Sequence, residues 1–139
     1  MTLPGAPRST EAAEFWNALG GGDGTLLRQE CVQCGRSRLP RTAMCPYCGG
    51  WESHWRPVTG PARLVTFTVI RRAPSPEWAA HAPYGVAIVE VAPGCRVLVN
   101  TDWLPEHADL GRPVVVAVET GDGGPRLVAS RGGDEAVSQ

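Results

Sequence analysis

Hydrophobic and polar positions change rhythm along this chain, and each change marks an element. From Arg63 to Ile70, Leu64, Thr66, Thr68 and Ile70 alternate with Val65, Phe67 and Val69. A period of two with this β-branched content predicts a strand. The same reading predicts strands over Tyr84–Val91 and Arg96–Thr101, joined by the turn Ala92-Pro93-Gly94, and over Val114–Glu119 and Arg126–Ala129, joined by Gly121-Asp122-Gly123-Gly124. Pro105 to Leu110 reads as a short helical turn closed by Gly111. Five strands with one helical turn after the third are the order of an OB-fold, a small barrel whose face and loops bind ligands or partners; a sandwich or another small barrel fits the same count.

Upstream the pattern differs. Ser9 or Thr10 is placed to cap a helix over Glu11–Leu19, with acids in its first turn and Gly20-Gly21-Gly22 ending it. Phe15, Trp16 and Leu19 give it an aromatic-rich face. A helix of under three turns is marginal alone, so that face must lie either on the chain's own body or on another subunit. Gly24–Glu30 reads as a short strand, Arg36–Arg41 as its returning arm, and Trp51–Pro57 as the segment leaving the second knuckle. Between β-rich segments, Arg71 to Pro83 is a proline-punctuated loop, long enough to suggest a functional role. The expected organisation is a tail and helix over residues 1–24, a zinc ribbon over 25–58, the OB-fold over 59–131 and a polar, disordered tail over 132–139.

The metal ribbon rests on Cys31-Val32-Gln33-Cys34-Gly35 and Cys45-Pro46-Tyr47-Cys48-Gly49. Two residues between cysteines place both sulfurs on one side of a tight turn, and four thiolates fill a tetrahedron about one Zn²⁺ with no open position. Such a closed site is structural. Iron is the minor alternative to zinc. Disulfides suit an oxidising compartment, whereas Met-Thr-Leu-Pro-Gly begins the chain without a basic start or apolar run, so the expectation is reducing cytoplasm. A redox dithiol calls for one pair beside a βαβ unit; here two matched pairs flank a hairpin.

Charge narrows the function further. Thirteen basic residues, every one Arg, stand against 14 acidic ones. That balance argues against an electrostatic nucleic-acid binder, and the lack of Lys excludes a Schiff base or P-loop lysine. In the ribbon, Arg28, Arg36, Arg38, Arg41 and Arg56 face Glu30 and Glu52, an excess that four zinc-bound thiolates nearly cancel. No apolar run is long enough to span a membrane. Cys95, the one thiol outside the knuckles, reads as a structural cysteine, His54 as a surface or packing residue, and Asp102, Glu106 and Asp109 as the solvated end of a helical turn. His81 and His107 lack a nucleophile partner, so no catalytic set is expected. Arg71, Arg72, Trp78 and Tyr84 could hold the phosphate and adenine ends of coenzyme A, or meet a partner; the plainer alternative folds Trp78 onto the barrel.

Several segments taken together resemble a known family. Phe15-Trp16 in a leading helix, Leu26-Leu27-Arg28-Gln29-Glu30-Cys31 entering the ribbon and both knuckles are followed by Pro83-Tyr84-Gly85-Val86-Ala87-Ile88-Val89-Glu90, Gly94-Cys95-Arg96-Val97-Leu98-Val99-Asn100 and Gly111-Arg112-Pro113-Val114. Over residues 11 to 131 this order resembles the zinc-ribbon and OB-fold proteins called domain of unknown function 35, which are associated with acyl-CoA metabolism. The resemblance implies a non-catalytic accessory subunit or scaffold of a thiolase-like enzyme in a hetero-oligomer. A hot-dog-fold hydratase is a further partner it implies, and a guided acyl-CoA thioester a further ligand. The Ala92-Pro93-Gly94 turn departs from the acidic turn common there. A single-stranded nucleic-acid binder is the rival class, since OB-folds and zinc ribbons both serve that use.

Overall fold

A computed structural model describes residues 26–39, 43–121 and 124–131. The expected helix with Phe15, Trp16 and Leu19 lies outside them, as do Arg41 and the tail from residue 132. Three short strands come first: β1 (Leu27–Cys31), β2 (Ser37–Arg38) and β3 (Ser53–Pro57), in the antiparallel order β2-β1-β3. Five more follow: β4 (Ala62–Ile70), β5 (Tyr84–Ala92), β6 (Cys95–Thr101), β7 (Pro113–Gly121) and β8 (Gly124–Ser130). These close on themselves as β4-β5-β6-β8-β7, with β8 parallel to β6 and β7 returning to β4. A 3₁₀ turn, His107–Asp109, stands between the third and fourth barrel strands. The strand order and the placement of that turn are those expected of the OB-fold.

Two local expectations change. Ser75-Pro76-Glu77 starts a short helix, α1 (Pro76–Ala79), inside the segment expected to be loop. Pro fits the first helical turn, where its missing N–H has no partner to lose. The even alternation of β4 also breaks. A register shift between Leu64 and Thr66 changes which parity faces inward, so Ala62 and Leu64 are buried before it while Phe67 packs on the core after it. Bulges of this kind bend a strand sharply enough to close a small barrel.

Leu64, Ala87, Val89, Val97, Val99, Val114, Leu127 and Ala129 fill the barrel interior. Leu26 joins the same core from the ribbon side, with Leu27, Leu39, Trp55 and Val58 packed against it. The Val58 N–H donates to the Leu26 carbonyl at 2.8 Å, so the ribbon's root and the barrel's base are tied by backbone as well as by apolar contact. No described helix is long and apolar enough to cross a membrane.

Candidate metal centre and barrel mouth

Each knuckle is built the same way. The N–H of Gly35 donates to the Cys31 carbonyl and that of Gly49 to the Cys45 carbonyl, both at 3.0 Å. Those glycines sit at φ 78° and 79°, left-handed values that a side chain would strain. A Cβ at Gly50 would meet only the tip of the exposed Gln33 side chain closely, Oε1 at 2.1 Å, a group free to swing aside.

The four Sγ atoms of Cys31, Cys34, Cys45 and Cys48 lie within 4.8 Å of one another. Cys31 stands 3.6 Å from Cys48, and Cys34 stands 3.7 Å from Cys45. A tetrahedral Zn²⁺ with bonds of about 2.3 Å sets its sulfurs about 3.8 Å apart, whereas a disulfide needs about 2.05 Å. The donor set therefore fits one four-thiolate metal ion. Cys31 is held below the usual thiol range chiefly by the N–H of Cys34. Burial pushes Cys45 up, but N–H groups of Cys48 and Tyr47 outweigh it and bring the thiol down to about 6. The Gly50 N–H pulls Cys48 the same way, yet burial and the three neighbouring sulfurs prevail and raise it to about 11. Four sulfurs crowded this closely cannot all ionise without a cation among them.

Around this centre exposed apolar and polar side chains mix, and the Arg36 guanidinium lies 4.7 Å from the centre of the Tyr47 ring. Val32, Met44, Tyr47 and Trp51 flank the knuckles and are exposed, Trp51 to 72 %. Below it, Glu30 takes Arg28 at 2.9 Å and Arg56 at 3.4 Å, and the Arg28 bond holds its carboxyl below the ordinary range. Part of the ribbon's arginine excess is thus used internally.

A second cluster forms at the mouth of the barrel. Trp78 on α1 folds back to Tyr84 at the start of β5, ring centroids 4.8 Å apart. The Arg126 guanidinium, from β8, lies 4.6 Å from the centre of the Trp78 ring. It also donates to Oδ1 of Asn100, whose Nδ2 donates to the Gly85 carbonyl at 3.3 Å. Beside this stack opens a cleft of about 340 Å³ lined by Tyr84, Gly85, Thr101, Asp102, Trp103 and Glu119, among others. Of the four loop residues singled out in sequence, Trp78 and Tyr84 meet. Arg71 and Arg72 are exposed on the segment leaving β4. Arg126 and Trp103 carry no local signal. Only the pairing of β8 between β6 and β7 brings Arg126 under the loop between the first two barrel strands.

Asp109 corrects the expectation of a solvated helix end. It is buried, and its Oδ2 accepts from the Trp103 Nε1–H at 3.1 Å and the Glu106 N–H at 2.8 Å, while Oδ1 accepts from Arg112 at 2.8 Å. Cys95 is buried as expected, and burial pushes its thiol up.

A four-cysteine ribbon rooted on a closed five-stranded barrel defines the class, a zinc-ribbon OB-fold protein. Family models agree: residues 20–52 match the ChsH2 rubredoxin-like zinc ribbon domain, and residues 55–119 the ChsH2 C-terminal OB-fold domain. A DUF35 domain-containing scaffold protein of Methanothermobacter thermautotrophicus is 32% identical over 117 residues, 81% of this chain and 80% of that protein. The chain belongs to the DUF35 family. A probable enoyl-CoA hydratase alpha subunit of Thermomonospora curvata is 32% identical over 92 residues, 66% of this chain; the chain spans only 28% of that subunit's length. Among solved structures, a chain of the Ltp2-ChsH2(DUF35) aldolase superposes with a TM-score of 0.73 at 27% identity, covering 90% of this chain and 98% of that one.

Proposed function

We propose that this chain is a non-catalytic accessory subunit, acting in the cytoplasm, that docks on and stabilises a thiolase-like acyl-CoA enzyme such as an aldolase, acyltransferase or condensing enzyme. The observation that carries the reading is the likeness, over 90% of the chain, to a component of the Ltp2-ChsH2(DUF35) aldolase. Cys31, Cys34, Cys45 and Cys48 hold one structural Zn²⁺, whose part is to lock the two knuckles together. Around them Val32, Met44, Tyr47 and Trp51 are exposed, large apolar side chains of the kind that partners cover. The chain's own groups fit support better than turnover, because the one thiol outside the knuckles is buried with a raised pKa.

The finer reading is that exposed Arg71 and Arg72 steer the phosphates of an acyl-CoA towards the partner's active site, and that Phe15, Trp16 and Leu19 form a docking helix. A hot-dog-fold hydratase is a second candidate partner, favoured by the name of the Thermomonospora relative. A nucleic-acid role is the weaker reading: Tyr84 and Trp103 are stacking residues, but Asp102 and Glu119 line the same cleft and repel phosphates. Co-expression with a thiolase-fold subunit encoded beside this chain tests the main reading. The two are expected to elute together, and elution of the zinc-loaded chain as a separate species would overturn it. Calorimetry with coenzyme A on native and Arg72→Ala protein tests the ligand role; equal affinities would remove it.

A further inference from the structure

The cleft at the barrel mouth has a chemistry of its own. Tyr84 and Trp103 present aromatic surface to it, and Asp102 and Glu119, both exposed, add two carboxylates. Glu119 stands opposite Arg126 across the β7–β8 ladder and the two charges attract, while that guanidinium also lies over the Trp78 ring and donates to Asn100, so Asp102 is the cleft's carboxylate without a cation of its own. Asp102 makes no ion pair with any described residue. Ring faces and carboxylates both attract cations. The chain already uses this pairing twice nearby, with Arg126 over Trp78 at 4.6 Å and Arg131 over Trp103 at 5.4 Å. At about 340 Å³ the cleft is at the small end of the range of ligand pockets and has room for one long side chain.

We propose that this cleft receives a single arginine or lysine side chain presented by the partner subunit. The proposal deepens the accessory-subunit reading and rests on it. Charge argues against the other occupants. A phosphate-rich ligand meets two carboxylates, and the chain's own tail from residue 132 carries Asp134 and Glu135 and no basic residue. Gly85 lies in the cleft's wall, packed so closely that a Cβ there would reach within 2.0 Å of Thr101 Oγ1.

The test is an amide and indole NMR titration of the full zinc-loaded chain with three probes: acetyl-Gly-Arg-Gly-amide, acetyl-Gly-Glu-Gly-amide and coenzyme A. The arginine peptide is expected to shift the Gly85 and Thr101 amides and the Trp103 indole N–H saturably. Asp102→Asn should weaken it at least threefold, and Asp102→Asn with Glu119→Gln at least tenfold, while Glu52→Gln on the ribbon leaves it unchanged. Saturable shifts of the same signals by the glutamate peptide or coenzyme A and not by the arginine peptide would overturn the proposal. So would no shift with any probe, or native affinity in the double variant. These outcomes are independent of co-elution, so loss of the partner reading and loss of the cleft's cation preference can be told apart.

Discussion

Asp109 supports the sharpest stability prediction. Its carboxylate receives three hydrogen bonds, from the Trp103 indole, the Glu106 amide and the Arg112 guanidinium, and thereby ties the β6–β7 connection to itself. Hydrogen bonds to a charged group contribute about 1.5–3 kcal/mol each, less when water can replace the partner. Glu106 and Leu110 beside it are exposed and Arg112 is half-buried, so resolvation offsets part of the loss. Asp109→Ala is therefore expected to cost about 3–4 kcal/mol, and Asp109→Asn, which keeps acceptor oxygen for one side of the network, about 2 kcal/mol. For a chain of this length each kcal/mol lowers Tm by about 3–5 °C, which puts the alanine variant about 10 °C or more below native. The sign of the pH effect follows from the same bonds. The Glu106 N–H foremost, then Trp103 and Arg112 against an opposing burial effect, hold the carboxyl below its ordinary 3.8. A depressed carboxyl stabilises the fold fully above about pH 4 and loses that contribution as pH falls through the lowered value. The gap between native and Asp109→Asn protein should thus narrow on acidification. Thermal melts by circular dichroism from pH 7 to pH 3, with the Trp103 indole proton followed by NMR, measure both effects. An Asp109→Asn variant within about 0.5 kcal/mol of native at pH 7 would show that the network is ornamental.

Three further outcomes are expected. Gly85→Ala forces a Cβ to 2.0 Å from Thr101 Oγ1 and 2.9 Å from Pro105 Cδ, and overpacking of this kind costs about 1–3 kcal/mol; a denaturation midpoint equal to native contradicts it. Treatment with a strong chelator should release one zinc per chain and lower Tm, with ribbon amides losing dispersion first, and an unchanged melt would mean that the sulfurs need no ion. Cys95, 1% exposed, should resist iodoacetamide in the native protein and react on unfolding, and prompt native labelling would place the thiol at the surface.

What could be read from the chain was what neighbours in sequence decide. Both knuckles and the left-handed Gly35 and Gly49 follow from local spacing, and the five barrel strands follow from period-two patterning. The helix at Pro76–Ala79 had its start signals in Ser75-Pro76-Glu77, set against a proline density that points to loop. Contacts between distant segments left no such trace. The stacking of Arg126 on Trp78 depends on β8 lying beside β6, and the buried role of Asp109 depends on an indole six residues back that turns inward. The bulge after Leu64 is equally silent, because a register shift belongs to two strands at once.

The order of the barrel carries a consequence for synthesis. Its last strand is not at an edge: β8 fits between β6 and β7, which until then share no ladder, and β7 itself holds β4 through only Ala62↔Val114 and Arg63↔Pro113. A chain cut short at Gly121 therefore leaves a sheet with a bare flank at β6, able to pair with any strand it meets. Nonsense mutations upstream of Gly124 would yield a sticky fragment rather than a shorter barrel, and a partner recruited during translation would have to wait for the final ten or so codons of the ring before finding its finished surface.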